Sequence, residues 1–428
     1  MTLKRSFLSL CTVLSLFGAT AQDVNISQSE VTRIVTTLAS DEMAGRATFT
    51  PGIDKAADFI AAEFKKAGLT PIKGNSYFQE FSMQRADFIS ASGTLNGNAV
   101  PERNIVAFSG QDELSVSNAT KDFETKYITA KDTLYFSVQR LIAAKKNYVV
   151  FVDTAHARMF NSLKRFMRTA EPFTQTVLFV LTPEQGNEFL FNYKQKVKLL
   201  KLKNVVGILP GESRKDEYVI FSGHYDHLGI GKPNNEQDSI FNGANDDASG
   251  ITAVITLGKH FKQKGGNART LIFAAFTAEE SGGFGSKHFS QQYDPAKVMA
   301  MFNIEMIGTE SKWGTNSAYI TGFEKSDMGV ILGKNLAGSK FTFHPDPYPA
   351  QNLFYRSDNA TLARLGVPAH TISTSKMDSE KYYHTQDDEV ETLDMVNMTE
   401  IIKAIALSSA SIISGTDSPT RVDTSTLR

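Results

Sequence analysis

From Asn204 onward the chain alternates short apolar runs with one amphipathic stretch: YVIFSG (218–223), ASGITAVITLGKHF (248–261), TLIFAAFT (270–277), VMAMFNIEM (298–306) and VPAHTIST (367–374). Runs of four to eight apolar residues read as buried strands. Ile251, Val254, Ile255 and Leu257 recur at the spacing of one helix face. Apolar strands alternating with helices predict an α/β fold, a mainly parallel mixed sheet covered by helices on both faces. Upstream, periodicity predicts a helix from about Ser27 to Ala39 and a second over 52–67, with Ala57, Ile60, Ala61 and Phe64 on one face and Gly68 as its stop.

The texture changes between these two parts. Residues 83–203 carry β-type runs, YVVFVD (148–153) and TVLFVL (176–181), among Lys-rich and Asn-rich segments expected to be turns. This stretch holds no catalytic constellation and is expected to be an inserted, smaller β-containing module. The expected layout is therefore 22–82 as the N-terminal part of the main domain, 83–203 as the insert, 204–414 as the remainder, and 415–428 as a polar, mobile tail. Residues 1–21 are expected to be an export signal. Lys4 and Arg5 precede an apolar run to Phe17, and Ala19-Thr20-Ala21 supplies small residues at the cleavage position. The apolar run is too short to span a bilayer, so export to the periplasm or the exterior without stable membrane insertion is the expectation.

Composition narrows the function classes. With 428 residues, 41% hydrophobic and 21% charged residues and a formal net charge of −1, the chain has ample core and no polyelectrolyte character, which argues against nucleic acid as partner. Its one cysteine, Cys11, falls in the expected signal, so no disulfide is expected to support the exported chain.

Candidate chemistry sits at the ends of the apolar runs. SGHYDHLG places His224 and Asp226 after one strand, FTAEESG places Glu279 and Glu280 after another, and Glu305 ends a third. In an open α/β sheet, ligands bind beyond the carboxyl ends of the strands, so these residues are expected on one edge. Asp246, in NGANDDASG just before a helix, would reach the same edge. Each residue has an ordinary alternative: His224 and Asp226 as a surface turn, Asp246 and Asp247 as helix caps, His384 of YYHTQDD as a packed histidine. Glu305 within an apolar run resists such a reading, because a buried carboxylate is costly unless paired or metal-bound. Adjacent carboxylates such as Glu279 and Glu280 point in different directions, so one can bind metal while the other faces a water. Asp226 is expected to orient the imidazole of His224. His227 is read as a neighbour of the site, not a ligand.

Together these motifs resemble the secreted co-catalytic zinc aminopeptidases of clan MH, relatives of bacterial leucyl aminopeptidases and of glutamate carboxypeptidase. LASDEMAGRATFTPGIDKAADFIAAEFKKAGL (38–69) resembles that family's N-terminal element, and KNVVGILPG (203–211) its lead-in to the first ligand. The resemblance implies a phosphorylase/hydrolase-like fold and two Zn2+ per chain. His224 and Glu305 would hold one ion, Glu280 and His384 the other, and Asp246 would bridge them. It makes Glu279 the general base toward a metal-bridging water, and Tyr383 a candidate for polarising the scissile carbonyl. Asp226 and Asp388 would support the ligands, and Arg356 and Asp358 would lie in the substrate cleft. The family usually has Asp at the position of Glu305. The insert falls where many relatives carry a protease-associated domain. The implied function is removal of N-terminal residues from peptides with a free amino group. A glutaminyl cyclase, a carboxypeptidase or other amidohydrolase, and a non-catalytic peptide-binding relative stand as alternatives.

Overall fold

Helices cover both faces of one twelve-stranded mixed sheet in the computed structural model, which describes residues 24–166 and 169–427. The expected export signal lies outside the described residues. The first half of the chain runs α1 (Gln28–Leu38), α2 (Pro51–Ala67), β1 (Phe78–Leu95), β2 (Ile105–Phe108), β3 (Phe123–Ile128), α3 (Leu134–Ala143), β4 (Asn147–Val152), α4 (Ala157–Phe166) and β5 (Val177–Leu181). The second half runs β6 (Phe189–Leu209), β7 (Arg214–His224), α5 (Ser249–Lys264), β8 (Arg269–Phe276), β9 (Val298–Ile304), β10 (Ser317–Ile320), α6 (Met328–Leu336), β11 (Thr342–Pro345), β12 (Ala369–Ser373) and α7 (Met395–Ser408).

The main path of the sheet is β11-β10-β12-β9-β7-β8-β6-β1. Its centre, β12-β9-β7-β8, is parallel, and β6 and β1 extend it antiparallel. Strand alternation sorts the core into two layers. Val219, Phe221, Phe273 and Phe302 face α1, α2, α5 and α7, while Ile220, Ile272, Ala274 and Met301 face Phe289, Leu362 and Ala363. The helix starts and stops follow local chemistry. Ser27 Oγ accepts from the Glu30 amide to cap α1, and Gly68 at φ 75° ends α2 in the left-handed region that favours glycine.

The insert is built differently from its sequence texture. A four-stranded sheet, β2-β5-β4-β3, packs α3 and α4 on one face through Leu134, Val138 and Phe160. Its other face meets the outer arms of β1 and β6 through Ala91, Leu95, Phe189, Phe191 and Tyr193. Those two strands run unbroken from the main sheet into the module, paired from Phe78 with Val205 to Leu95 with Phe189. The boundaries at 83 and 203 thus fall inside continuous strands. The Lys-rich segment expected as turns is the 21-residue strand β6, whose lysines at 194, 196 and 198 alternate with inward Tyr193, Gln195 and Val197.

The stretch from Gly415, expected to be mobile, is instead fastened to the body. Arg269 donates to the Asp417 carbonyl (2.7 Å), Arg421 to the Val298 carbonyl (2.7 Å), and the amide of buried Val422 to Gly366 (3.1 Å). Polar composition concealed this, because the anchors are mostly backbone carbonyls. Among the described residues no helix is long and apolar enough to cross a membrane.

Candidate metal centre

Three adjacent parallel strands deliver their C-terminal ends to one point. Register pairs His224 at the end of β7 with Phe276 at the end of β8, and Ser222 with Asn303 near the end of β9. Glu305 directly follows β9, and Glu279 and Glu280 lie three and four residues beyond β8. Asp246 arrives on the loop before α5. That loop is held by Arg46, a fully buried guanidinium that donates to the carbonyls of Tyr225 (2.9 Å), Leu38 (2.6 Å), Asn242 (2.6 Å) and Gly243 (2.9 Å). Nothing in the sequence singled out Arg46. The available signal was a lone cation in the segment between two helices.

The side chains form two groups of metal-type donors that share Asp246. In the first, donor atoms of His224, Asp246 and Glu305 lie within 4.8 Å of one another, with His224 Nε2 3.2 Å from Asp246 Oδ1. In the second, His227, Asp246 and Glu280 meet the same limit. His384 Nε2 lies 3.3 Å from Asp246 Oδ2 and 3.2 Å from Glu280 Oε1. His227, read from the sequence as a neighbour, is buried with Nδ1 2.9 Å from Glu280 Oε1. Glu279 belongs to neither group.

These atoms converge without pairing. His224 Nε2, Asp246 Oδ1, Glu305 Oε2, Glu280 Oε1, His384 Nε2 and both ring nitrogens of His227 are buried and lack a hydrogen-bond partner. Unsatisfied buried polar atoms are rare and costly, and several facing a common point are what divalent cations satisfy. Charge points the same way. Asp226, Asp246, Asp247 and Asp388 lie near one buried guanidinium, that of Arg46, which spends its donors on carbonyls. The oxygen and imidazole donor set suits zinc and related transition metals.

A ring of contacts behind the donors fixes their directions. His224 Nδ1 lies 3.1 Å from the Asp226 carbonyl oxygen, so it carries the ring proton and leaves the Nε2 lone pair free toward Asp246. The expectation that the Asp226 carboxylate orients this imidazole is corrected in detail: it stands 3.8 Å away and accepts instead from the amides of Glu279 (3.0 Å) and Glu280 (3.3 Å). Asp388 accepts from the amides of Asn245 (2.8 Å) and Asp246 (3.0 Å). Asp247 accepts from those of His224 (3.1 Å), Gly250 (3.0 Å) and Met306 (3.2 Å), tying β7, α5 and the end of β9 together.

Burial dominates the electrostatics. It pushes Asp226, Glu305 and Asp388 up to about 7 and raises Glu279 well above the ordinary carboxylate range. Burial also opposes ionisation of Glu280, yet its contacts with His227 and His384 outweigh that and hold it at about 2. Contacts with Asp246 and Glu280 raise His384 to about 10. Glu279 and Glu280, adjacent in sequence, are thus driven in opposite directions.

A pocket adjoins the first group. Glu305, Tyr319, Arg356, Met377 and Tyr383 are among the side chains that line it, and the Tyr383 ring stacks on His384 with centroids 3.9 Å apart. Arg356 stands at this pocket. Asp358, expected in the cleft with it, is buried at 1% exposure at the start of a short helix, where its charge acts on Glu279 and Glu305.

Comparison with known proteins agrees with this architecture. The chain is similar to a probable leucine aminopeptidase of Trichophyton verrucosum, 28% identical over 211 residues that cover 47% of this chain and 54% of that protein. It spans about half or less of the length of the curated relatives it matches. An aminopeptidase from Aneurinibacillus sp. strain AM-1 shares the fold, with a TM-score of 0.53, 16% identity, and coverage of 90% of this chain and 94% of that one. A glutaminyl cyclase of Porphyromonas gingivalis shares it too, with a TM-score of 0.51, 12% identity, and coverage of 90% and 99%. One fold therefore hosts two chemistries, and its likeness alone does not choose between them. The segment from 204 to 408, which carries every donor of both groups, matches the model of peptidase family M28.

Proposed function

We propose that this chain is an exported di-zinc exopeptidase that hydrolyses the N-terminal bond of peptides with a free amino group, acting without nucleic acid or membrane insertion. The observation that carries the reading is the pair of donor groups sharing Asp246, with Glu279, next to Glu280 in the chain, in neither. His224, Asp246 and Glu305 would hold one ion, and Asp246, Glu280 and His384 the other. Two divalent ions so held would supply Lewis acidity to a peptide carbonyl and lower the pKa of water.

The remaining work falls to the chain's own groups. Glu279 accepts the proton of the attacking water and returns it to the departing amine. Its raised proton affinity, caused by burial, favours holding the proton between the two steps. Asp226 fixes its backbone by accepting from the Glu279 amide. Tyr383, at the pocket beside Glu305, donates toward the scissile carbonyl oxygen as negative charge develops there. Excess carboxylate at the site favours a substrate ammonium group, which restricts attack to the first bond. The pocket lined by Glu305, Met377 and Arg356 takes the N-terminal side chain.

The test is an amidase panel on the zinc-loaded full chain with bound metal counted. Release of the first residue from free-amino peptides but not from N-acetylated ones, with two ions per chain, is expected. Cleavage of blocked peptides would overturn the exopeptidase reading. Conversion of N-terminal glutamine to pyroglutamate without hydrolysis would indicate cyclase chemistry.

A further inference from the structure

The second donor group contains one histidine more than the proposed ligand set uses, and its geometry is that of a ligand. His227 is fully buried, its Nδ1 lying 2.9 Å from Glu280 Oε1 and 3.9 Å from Asp246 Oδ2. At 2.9 Å an imidazole N–H pointing at a carboxylate would be a hydrogen bond. Here neither ring nitrogen of His227 has a hydrogen-bond partner, and neither does Glu280 Oε1. Nitrogen and oxygen are thus close without forming a hydrogen bond, which leaves both open to a shared cation. His384 Nε2, also unpartnered, approaches the same two carboxylates.

The ring is locked in place. Gly243, at φ 56°, has no side chain, and a Cβ there would lie 2.6 Å from the His227 ring and 2.3 Å from the Asp246 carbonyl oxygen. The absent side chain at 243 lets the loop that carries Asp246 close over the imidazole. From the other side, the His227 amide donates to the Arg46 carbonyl (3.3 Å). A long or mobile side chain is not being recruited here; the fold presses a rigid donor against two carboxylates.

Resting on the two-metal reading above, we infer that His227 is a protein ligand of the second ion, which makes the two metal positions unequal. His227, Asp246, Glu280 and His384 offer four donors to one ion, whereas His224, Asp246 and Glu305 offer three to the other. Four protein ligands close a zinc site, and three leave a position for water or substrate. The second position therefore fills first and holds its ion more tightly. The position beside Glu305 exchanges more readily and keeps the open coordination.

The experiment titrates chelator-stripped full-length protein with Zn2+ by calorimetry and with Co2+ by visible absorption. The wild type is expected to bind two ions in separable steps. In His227→Ala the tighter step should weaken by more than about a hundredfold, beyond the roughly 10–100-fold typical of an outer hydrogen-bonding partner, and its cobalt band should change shape. His227→Gln, which can still hydrogen-bond Glu280 but ligates poorly, should behave like His227→Ala, and His227→Cys should restore tight binding. Circular dichroism on each variant identifies any that fail to fold, and the Gln variant decides if Ala does. A His227→Gln protein with wild-type affinities and the wild-type cobalt spectrum would make His227 a positioning residue and overturn the inference alone. A wild type that binds no ion would remove this inference together with the proposed function.

Discussion

The backbone amide of Glu279 donates to Asp226 Oδ1 at 3.0 Å, so the residue proposed as base is tied to the turn that leaves β7 two residues after His224. The other Asp226 oxygen accepts from the Glu280 amide at 3.3 Å. One buried carboxylate thereby sets the direction of both glutamates relative to the first histidine. Asp226→Asn keeps the shape but removes one acceptor, leaving one of these amides unpaired at about 1–3 kcal/mol. Expected in steady-state kinetics is a fall in kcat of roughly 10–100-fold, with zinc affinity reduced on a similar scale. An Asp226→Asn enzyme of wild-type kcat would show that something else holds the loop.

Charge density at the site gives a pH signature. Burial holds Asp226, Glu305 and Asp388 at about 7, well above the ordinary carboxylate values of 3.8 for aspartate and 4.5 for glutamate. A carboxyl that binds its proton more tightly in the fold than unfolded contributes stability that is complete below about pH 4 and is lost as pH rises through about 7. Divalent ions bind the ionised form and reverse the loss. For chelator-stripped protein, Tm should therefore fall between about pH 5 and pH 8, and the rise in Tm on adding zinc should be larger at about pH 8. Scanning fluorimetry reads both, and a stripped protein that gains stability across this range would contradict the account.

Arg46 links the N-terminal segment to the candidate metal centre. Its removal leaves the carbonyls of Tyr225, Leu38, Asn242 and Gly243 without their donor in a dry interior. For Arg46→Met the expected loss is on the order of 3 kcal/mol or more in denaturant unfolding of the zinc-loaded protein, with weaker zinc binding because the Asp246 loop is freed. Arg46→Lys should recover only part of this, since one ammonium cannot reach carbonyls on four residues. A neutral effect would mean that water replaces the guanidinium.

The parallel core was legible because burial on both faces writes apolar runs directly into the sequence. YVIFSG, TLIFAAFT and VMAMFNIEM sit within β7, β8 and β9 or one or two residues past their ends, and the same rule placed His224, Glu279, Glu280 and Glu305 on one edge. What failed was chemistry without an apolar signature. The outer face of β6 is lysine, so a strand read as turns; the final residues bind through backbone carbonyls, so a fastened segment read as a tail. His227 illustrates a different limit. Sequence shows that it neighbours Asp226, but only the fold brings it to Glu280.

The division of labour between Glu279 and Glu280 is the centre of the account, and Glu279→Gln tests it most directly. Glutamine preserves size and the backbone contact with Asp226 while removing the ability to take a proton. Measured on the same samples, kcat on a free-amino peptide should fall by roughly 10²–10⁴-fold while two zinc ions per chain are retained. An unchanged kcat, or a loss of zinc that accounts for the fall, would contradict the assignment of Glu279 as base.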